Sequence, residues 1–124
     1  MTKIMYNLNC SFDASSFFRQ DWVSEGEKRN LQYANGLKSY FKLHKENINS
    51  CEDVYIVDNT VLNKSKVDKR ILEVIPEEAN FIFTQKNNYG KLNKGAGLIE
   101  SWEHNKELIK KYDFVFYHEP RQVL

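Results

Sequence analysis

No apolar run in this 124-residue chain approaches the ~20 residues that a membrane-crossing helix requires, so no membrane span is expected. The opening Met1-Thr2-Lys3-Ile4-Met5-Tyr6-Asn7 is too short and too polar for a secretory leader, which points to a cytoplasmic protein. Cysteine is scarce. Cys10 and Cys51 lack the spacing of metal ligands and read as buried free thiols in a reducing compartment. An excess of charge is missing too: the formal net charge is +1, with basic residues interspersed among acids rather than massed in a stripe. Nucleic-acid binding normally rests on such a stripe, so no nucleic-acid partner is expected.

Several phosphate and catalytic signatures are also absent. There is no G-x-x-x-x-G-K-[ST] and no G-x-G-x-x-G after the first strand, which excludes a P-loop enzyme and an ordinary dinucleotide domain. The first strand does not end in paired acids, against a phospho-acceptor receiver. Neither G-x-S-x-G nor H-E-x-x-H occurs, and no histidine neighbours a Ser or Cys in a way that suggests a triad.

What is present is an alternation of strands and helices. Lys3 to Phe12 has period two, with Ile4, Tyr6, Leu8, Cys10 and Phe12 on one face and Asn7, Asn9 and Ser11 on the other. A polar second face is unusual for a central strand and suggests proximity to a site. Asp13 to Val23 is a long loop carrying Phe17, Phe18 and Trp22, a candidate binding loop. Ser24 and Glu27 form a capping box for a first helix, along which Leu31, Ala34, Leu37, Tyr40 and Phe41 recur at helical spacing. Gly36 inside that helix costs about 1 kcal/mol against Ala, and close packing of the helix is a reason to tolerate it.

Asp53-Val54-Tyr55-Ile56-Val57-Asp58-Asn59-Thr60 is the centrepiece: a buried parallel strand that ends abruptly in polar turn residues. A second helix is expected from about Lys64 to Val74, with Val67, Ile71, Val74 and Ile75 inward, and Pro76 beyond it. Asn80 to Thr84 reads as a third strand, and Gln85 to Lys94 as a polar loop. Gly95-Ala96-Gly97 leads into a third helix with Leu98, Ile99, Trp102, Ile109 and Tyr112 as its apolar stripe. Phe114 to Tyr117 is the fourth strand. The order predicts one α/β domain over residues 1–124: three layers, a mostly parallel sheet of about four strands, and helices on both faces.

In such sheets ligands bind at the carboxyl ends of the strands, so the chemistry is sought there. Asp58 reads either as an acceptor for a base or ribose, or as a carboxylate capping the next turn. Lys91, Asn93 and Lys94, with the glycines around them, offer close backbone approach and positive charge to a diphosphate, or else form a Gly/Asn-rich loop. His118 and Glu119 follow the last strand, where a divalent cation on a phosphate would be held; the alternative is a pair of surface residues.

The motif order resembles the nucleotide-binding half of GT-A-type glycosyltransferases, in particular the large family-2-like group. In that family the second strand commonly ends in an Asp-Asn-Gly/Ser-like turn whose Asp contacts the base; Asp58-Asn59-Thr60 is similar. After the third strand the family tends to show Asn and Gly, then a further Asn and Gly before a helix. Asn88-Tyr89-Gly90 and Asn93-Lys94-Gly95-Ala96-Gly97 resemble that pattern. The resemblance runs from about residue 3 to 121 and rests on short motifs.

It implies a Rossmann-like GT-A domain that takes a nucleotide-sugar donor, an acceptor of unspecified kind, and a manganese or magnesium ion. Asp58, Asn59, Lys91, Asn93, Lys94 and Arg121 would face the nucleotide, and Glu119 with His118 the cation. Two departures stand out. The family's Asp-x-Asp is replaced by Tyr117-His118-Glu119-Pro120-Arg121, and only three residues follow Arg121, leaving no expected place for a catalytic base. A non-catalytic interaction domain, assembling as a homo-oligomer through an edge strand, is therefore the second reading. A metal-dependent phosphoesterase or nuclease using Asp58, His118 and Glu119 is the third.

Overall fold

The computed structural model describes residues 2–13, 26–45, 53–84 and 94–121. Four strands, β1 (Ile4–Cys10), β2 (Val54–Asp58), β3 (Asn80–Phe83) and β4 (Phe114–His118), pair in the order β3-β2-β1-β4. Every pairing is parallel, with Leu8 opposite both Ile56 and His118, and Val57 opposite Ile82. The expected α/β domain with a parallel four-stranded sheet is what forms.

Period two in β1 sorts its residues between two helical layers. Leu8, Cys10, Val54 and Ile56 face α1 (Gly26–Lys45) and α2 (Lys69–Leu72). There they join Tyr33, Leu37, Tyr40, Phe41, Val67 and Ile71 in one apolar cluster. The opposite face carries Tyr55 and Tyr117. Tyr112 and Trp102 pack on these from the chain segment that holds α3 (Lys94–His104) and α4 (Lys106–Ile109). Both faces are covered, as parallel sheets require.

Two expected helices are interrupted, one at a capping aspartate and the other at a buried asparagine that makes no capping bond. The segment from Lys64 begins as a 3-10 turn (Lys64–Lys66) and breaks at Val67, whose backbone is extended (φ −90°, ψ 138°). Asp68 then accepts from Arg70 N and opens the single turn of α2. Likewise the third helix stops at His104, and buried Asn105 turns the chain into α4. Ile99, expected on the apolar stripe, is 62% exposed.

Strand order matters most for function. The connections β1 to β2 to β3 step one way across the sheet, and the return to β4 passes to the other side of β1. The order thus reverses beside β1, and in open parallel sheets ligands bind at such a reversal, outside the carboxyl ends of the strands. No helix among the described residues is long and apolar enough to cross a membrane.

Candidate functional site at the carboxyl edge of the sheet

β2 delivers Asp58 to this edge, but with its carboxylate turned inward and no exposed surface. Oδ1 accepts from Thr60 N (2.6 Å), Thr60 Oγ1 (2.9 Å) and Val61 N (2.8 Å), and Oδ2 accepts from Phe12 N (2.7 Å). Burial pushes this carboxyl above its usual range, while the same four hydrogen bonds pull it down. Of the two alternatives for Asp58, the geometry is that of a turn cap that also staples the segment after β1. Thr60 Oγ1 accepts in turn from Asp13 N (3.0 Å), and Ser11 Oγ donates to Asn59 Oδ1 (3.1 Å). Asp58 shapes the edge, with three donors on Oδ1 and one on Oδ2.

Lys91 and Asn93 lie outside the described residues, as does most of the candidate loop of Asp13 to Val23. Lys94 is the first residue of α3, with its side chain outside them too. Cys10 is a buried free thiol, while Cys51 falls outside.

The segment after β4 is bound along α1. The His118 ring stacks on Tyr40 (centroids 5.6 Å apart), Pro120 is buried, and the Arg121 guanidinium lies 5.9 Å from the centre of the Tyr33 ring. Between them, Gly36 admits the chain: a Cβ there would lie 1.5 Å from the Pro120 carbonyl oxygen. Tyr40, Gly36 and Tyr33 recur at helical spacing, so one stripe of α1 receives His118, Pro120 and Arg121 in succession. This contact places Arg121 beside the first turns of α1.

Arg121 holds Glu119 Oε1 at 3.3 Å and Gln32 Oε1 at 3.4 Å, and its Nε is buried without a partner. His118 and Glu119, the residues expected to hold a cation, each have another partner in this arrangement. A guanidinium already occupies the carboxylate, and the imidazole is committed to a ring stack. No group of three potential metal-ligating side chains occurs among the described residues.

Sequence reasoning missed Arg29. Its side chain is 7% exposed, its Nε donates to Ser11 O (2.6 Å), and its guanidinium lies 5.7 Å from the Tyr33 ring centre. The available signal was its position, four residues before Tyr33 and in line with Gly36 and Tyr40, where a cation interrupts a face that packs inward. Tyr33 OH accepts from Ser11 N (2.7 Å), and burial drives its phenol upward. The Cys10 thiol is raised chiefly by burial. Asp58 and Glu119 raise it further and Arg29 opposes them, so these charges converge on the end of β1.

On the opposite face Asn7 is 1% exposed; its Nδ2 donates to Asn9 Oδ1 (2.7 Å), while its own Oδ1 has no partner. The polar face of β1 is thus interior and lies under the α3 side. Comparison with protein-family models, curated proteins and solved structures gives no match.

Proposed function

We propose that the chain is a GT-A-like domain that binds a nucleotide-diphosphate sugar at the crevice between β1 and β4. The observation that supports this reading is the parallel order β3-β2-β1-β4, which reverses beside β1, the place at the carboxyl edge where open parallel sheets bind ligands. Ser11, Asn59, Arg29 and Arg121 stand around that edge. Asp58 contributes by fixing the turn that carries Asn59. The arginines, rather than a cation on His118 and Glu119, supply the positive charge. Glycosyl transfer itself would need a base to take the acceptor proton, and none of the residues at this edge is assigned that part.

Titration calorimetry with a panel of UDP- and GDP-sugars, with and without manganese, tests the reading. Saturable binding of at least one donor without added metal is expected. No heat from any donor at millimolar concentration would overturn it.

A second reading, an interaction domain without catalysis, has one observation in its favour. The edge strand β4 exposes Phe114 (60%), Phe116 (56%) and Tyr117 (41%). Oligomeric state is its measure.

A further inference from the structure

We infer that Arg29 and Arg121 form a metal-independent site for a phosphoryl anion, on which Glu119 is an internal competitor. The first ground is the state of Arg29. A guanidinium shielded from water is unfavourable unless an anion answers it, yet no carboxylate among the described residues pairs with Arg29. Its Nε is spent on Ser11 O, which leaves the two terminal nitrogens of the fork. Two N–H groups side by side match two oxygens of a phosphate.

The second ground is Arg121. It lies 5.9 Å from the same Tyr33 ring that Arg29 approaches to 5.7 Å, so both cations gather on one aromatic side chain. Cation–ring contact leaves the guanidinium edges available for hydrogen bonds. The polar contacts of Arg121 with Gln32 and Glu119 are long, at 3.3–3.4 Å, and its Nε is unpartnered. Its acidic partner among the described residues, Glu119, is two residues away on the same strap, with its side chain 47% exposed. That carboxylate supplies the charge of a ligand oxygen and can be released to water when a ligand arrives. A long pair whose carboxylate is half exposed is worth little, so the exchange is inexpensive. The Asp58 carboxylate is already engaged by four donors from its own turn and from the segment after β1.

The inference rests on the preceding reading only for what the phosphoryl group is attached to. Inorganic pyrophosphate, titrated in the presence of a chelator, is therefore the probe. Binding is expected to be saturable and unchanged by the chelator. Arg121→Gln should weaken it about ten- to a hundredfold. Glu119→Gln should tighten it by up to about fivefold, since the competing charge is removed and the oxygen kept. A misfolded variant cannot bind more tightly, so the opposite signs keep the test decisive even if Arg29→Gln fails to fold. Equal affinities in the wild type and both variants, or no binding of pyrophosphate, would overturn the inference. Pyrophosphate binding without any preference for a nucleotide sugar would instead overturn the donor reading and leave the anion site standing. A nucleotide sugar bound equally well by Arg121→Gln would do the reverse.

Discussion

Asp58 shows how a residue at a strand end can look like a ligand contact and act as a structural pin. Its carboxylate accepts from three backbone N–H groups and one hydroxyl, and so ties the turn after β2 to the segment after β1. Asparagine in its place keeps the shape but replaces one acceptor oxygen by an NH2 group. Facing Phe12 N, that group would oppose donor to donor and leave a buried N–H unsatisfied. Asp58→Asn is therefore expected to cost about 1–3 kcal/mol of stability, read from the urea midpoint at unchanged slope. If Asp58 reads a base instead, the midpoint stays put and nucleotide affinity alone falls. The two roles separate in one variant.

At the scale of elements, α1 and the strap after β4 form the unit on which the candidate site depends. Gly36 is its contact point. A methyl group there would meet the Pro120 carbonyl oxygen at 1.5 Å and its carbonyl carbon at 2.6 Å, and both are backbone atoms without freedom to rotate away. Helix propensity alone predicts that Gly36→Ala stabilises by about 1 kcal/mol. Steric conflict reverses the sign, and a loss of about 3 kcal/mol is expected, with the strap displaced from α1. Gly26 is the control: nothing lies within 4 Å of a Cβ there, so Gly26→Ala should be neutral or stabilise by up to about 1 kcal/mol. Opposite signs for two glycines of one helix, measured by denaturant midpoints, would fix the role of Gly36. A neutral Gly36→Ala would show that the strap is not seated there.

The same pair of elements marks what was legible in the sequence. Strand and helix order, the parallel sheet and the Leu37, Tyr40 and Phe41 part of the α1 stripe follow from local periodicity, whereas Leu31, expected on that stripe, is 44% exposed and Tyr33 is buried in its stead. Gly36 was legible as a site of close packing, but its partner Pro120 lies 84 residues away, a pairing no local pattern carries. Arg29 was missed for the same reason: a cation in a helix reads as solvated until the Ser11 carbonyl, 18 residues away, and the Tyr33 ring are seen to engage it. The break at Asp68 was hidden differently. Asp68 caps a new turn within an inward pattern of Val67 and Ile71 that a continuous helix would also satisfy.

For the molecule as a whole, the sheet has two edges, β3 and β4, and β4 is poorly guarded. Natural edge strands carry lysine, proline or a bulge against unwanted pairing; Phe114-Val115-Phe116-Tyr117-His118 carries none of these residue types. Phe116 rests one side on Tyr6, at 5.7 Å between ring centres, and still leaves 56% of its surface exposed. Antiparallel pairing of β4 with β4 of a second copy would join two four-stranded sheets. It would also cover three aromatic side chains from each copy, on the order of 300 Å² per protomer at half-exposure. A stable interface covers about 800 Å² per partner, so this contact by itself predicts a weak dimer rather than an obligate one. Sedimentation or light scattering over a concentration series should show a monomer at micromolar concentration and reversible association as it approaches millimolar. Phe116→Lys places a charge on the edge and should abolish association while leaving pyrophosphate binding unchanged, because Arg29 and Arg121 sit beyond the opposite, carboxyl end of the strand. A chain that stays monomeric throughout would remove the interaction-domain reading and leave the crevice as the molecule's one proposed site. If association is instead blocked by pyrophosphate, the strap that holds Arg121 and the edge that precedes it move together, and the two readings describe one device.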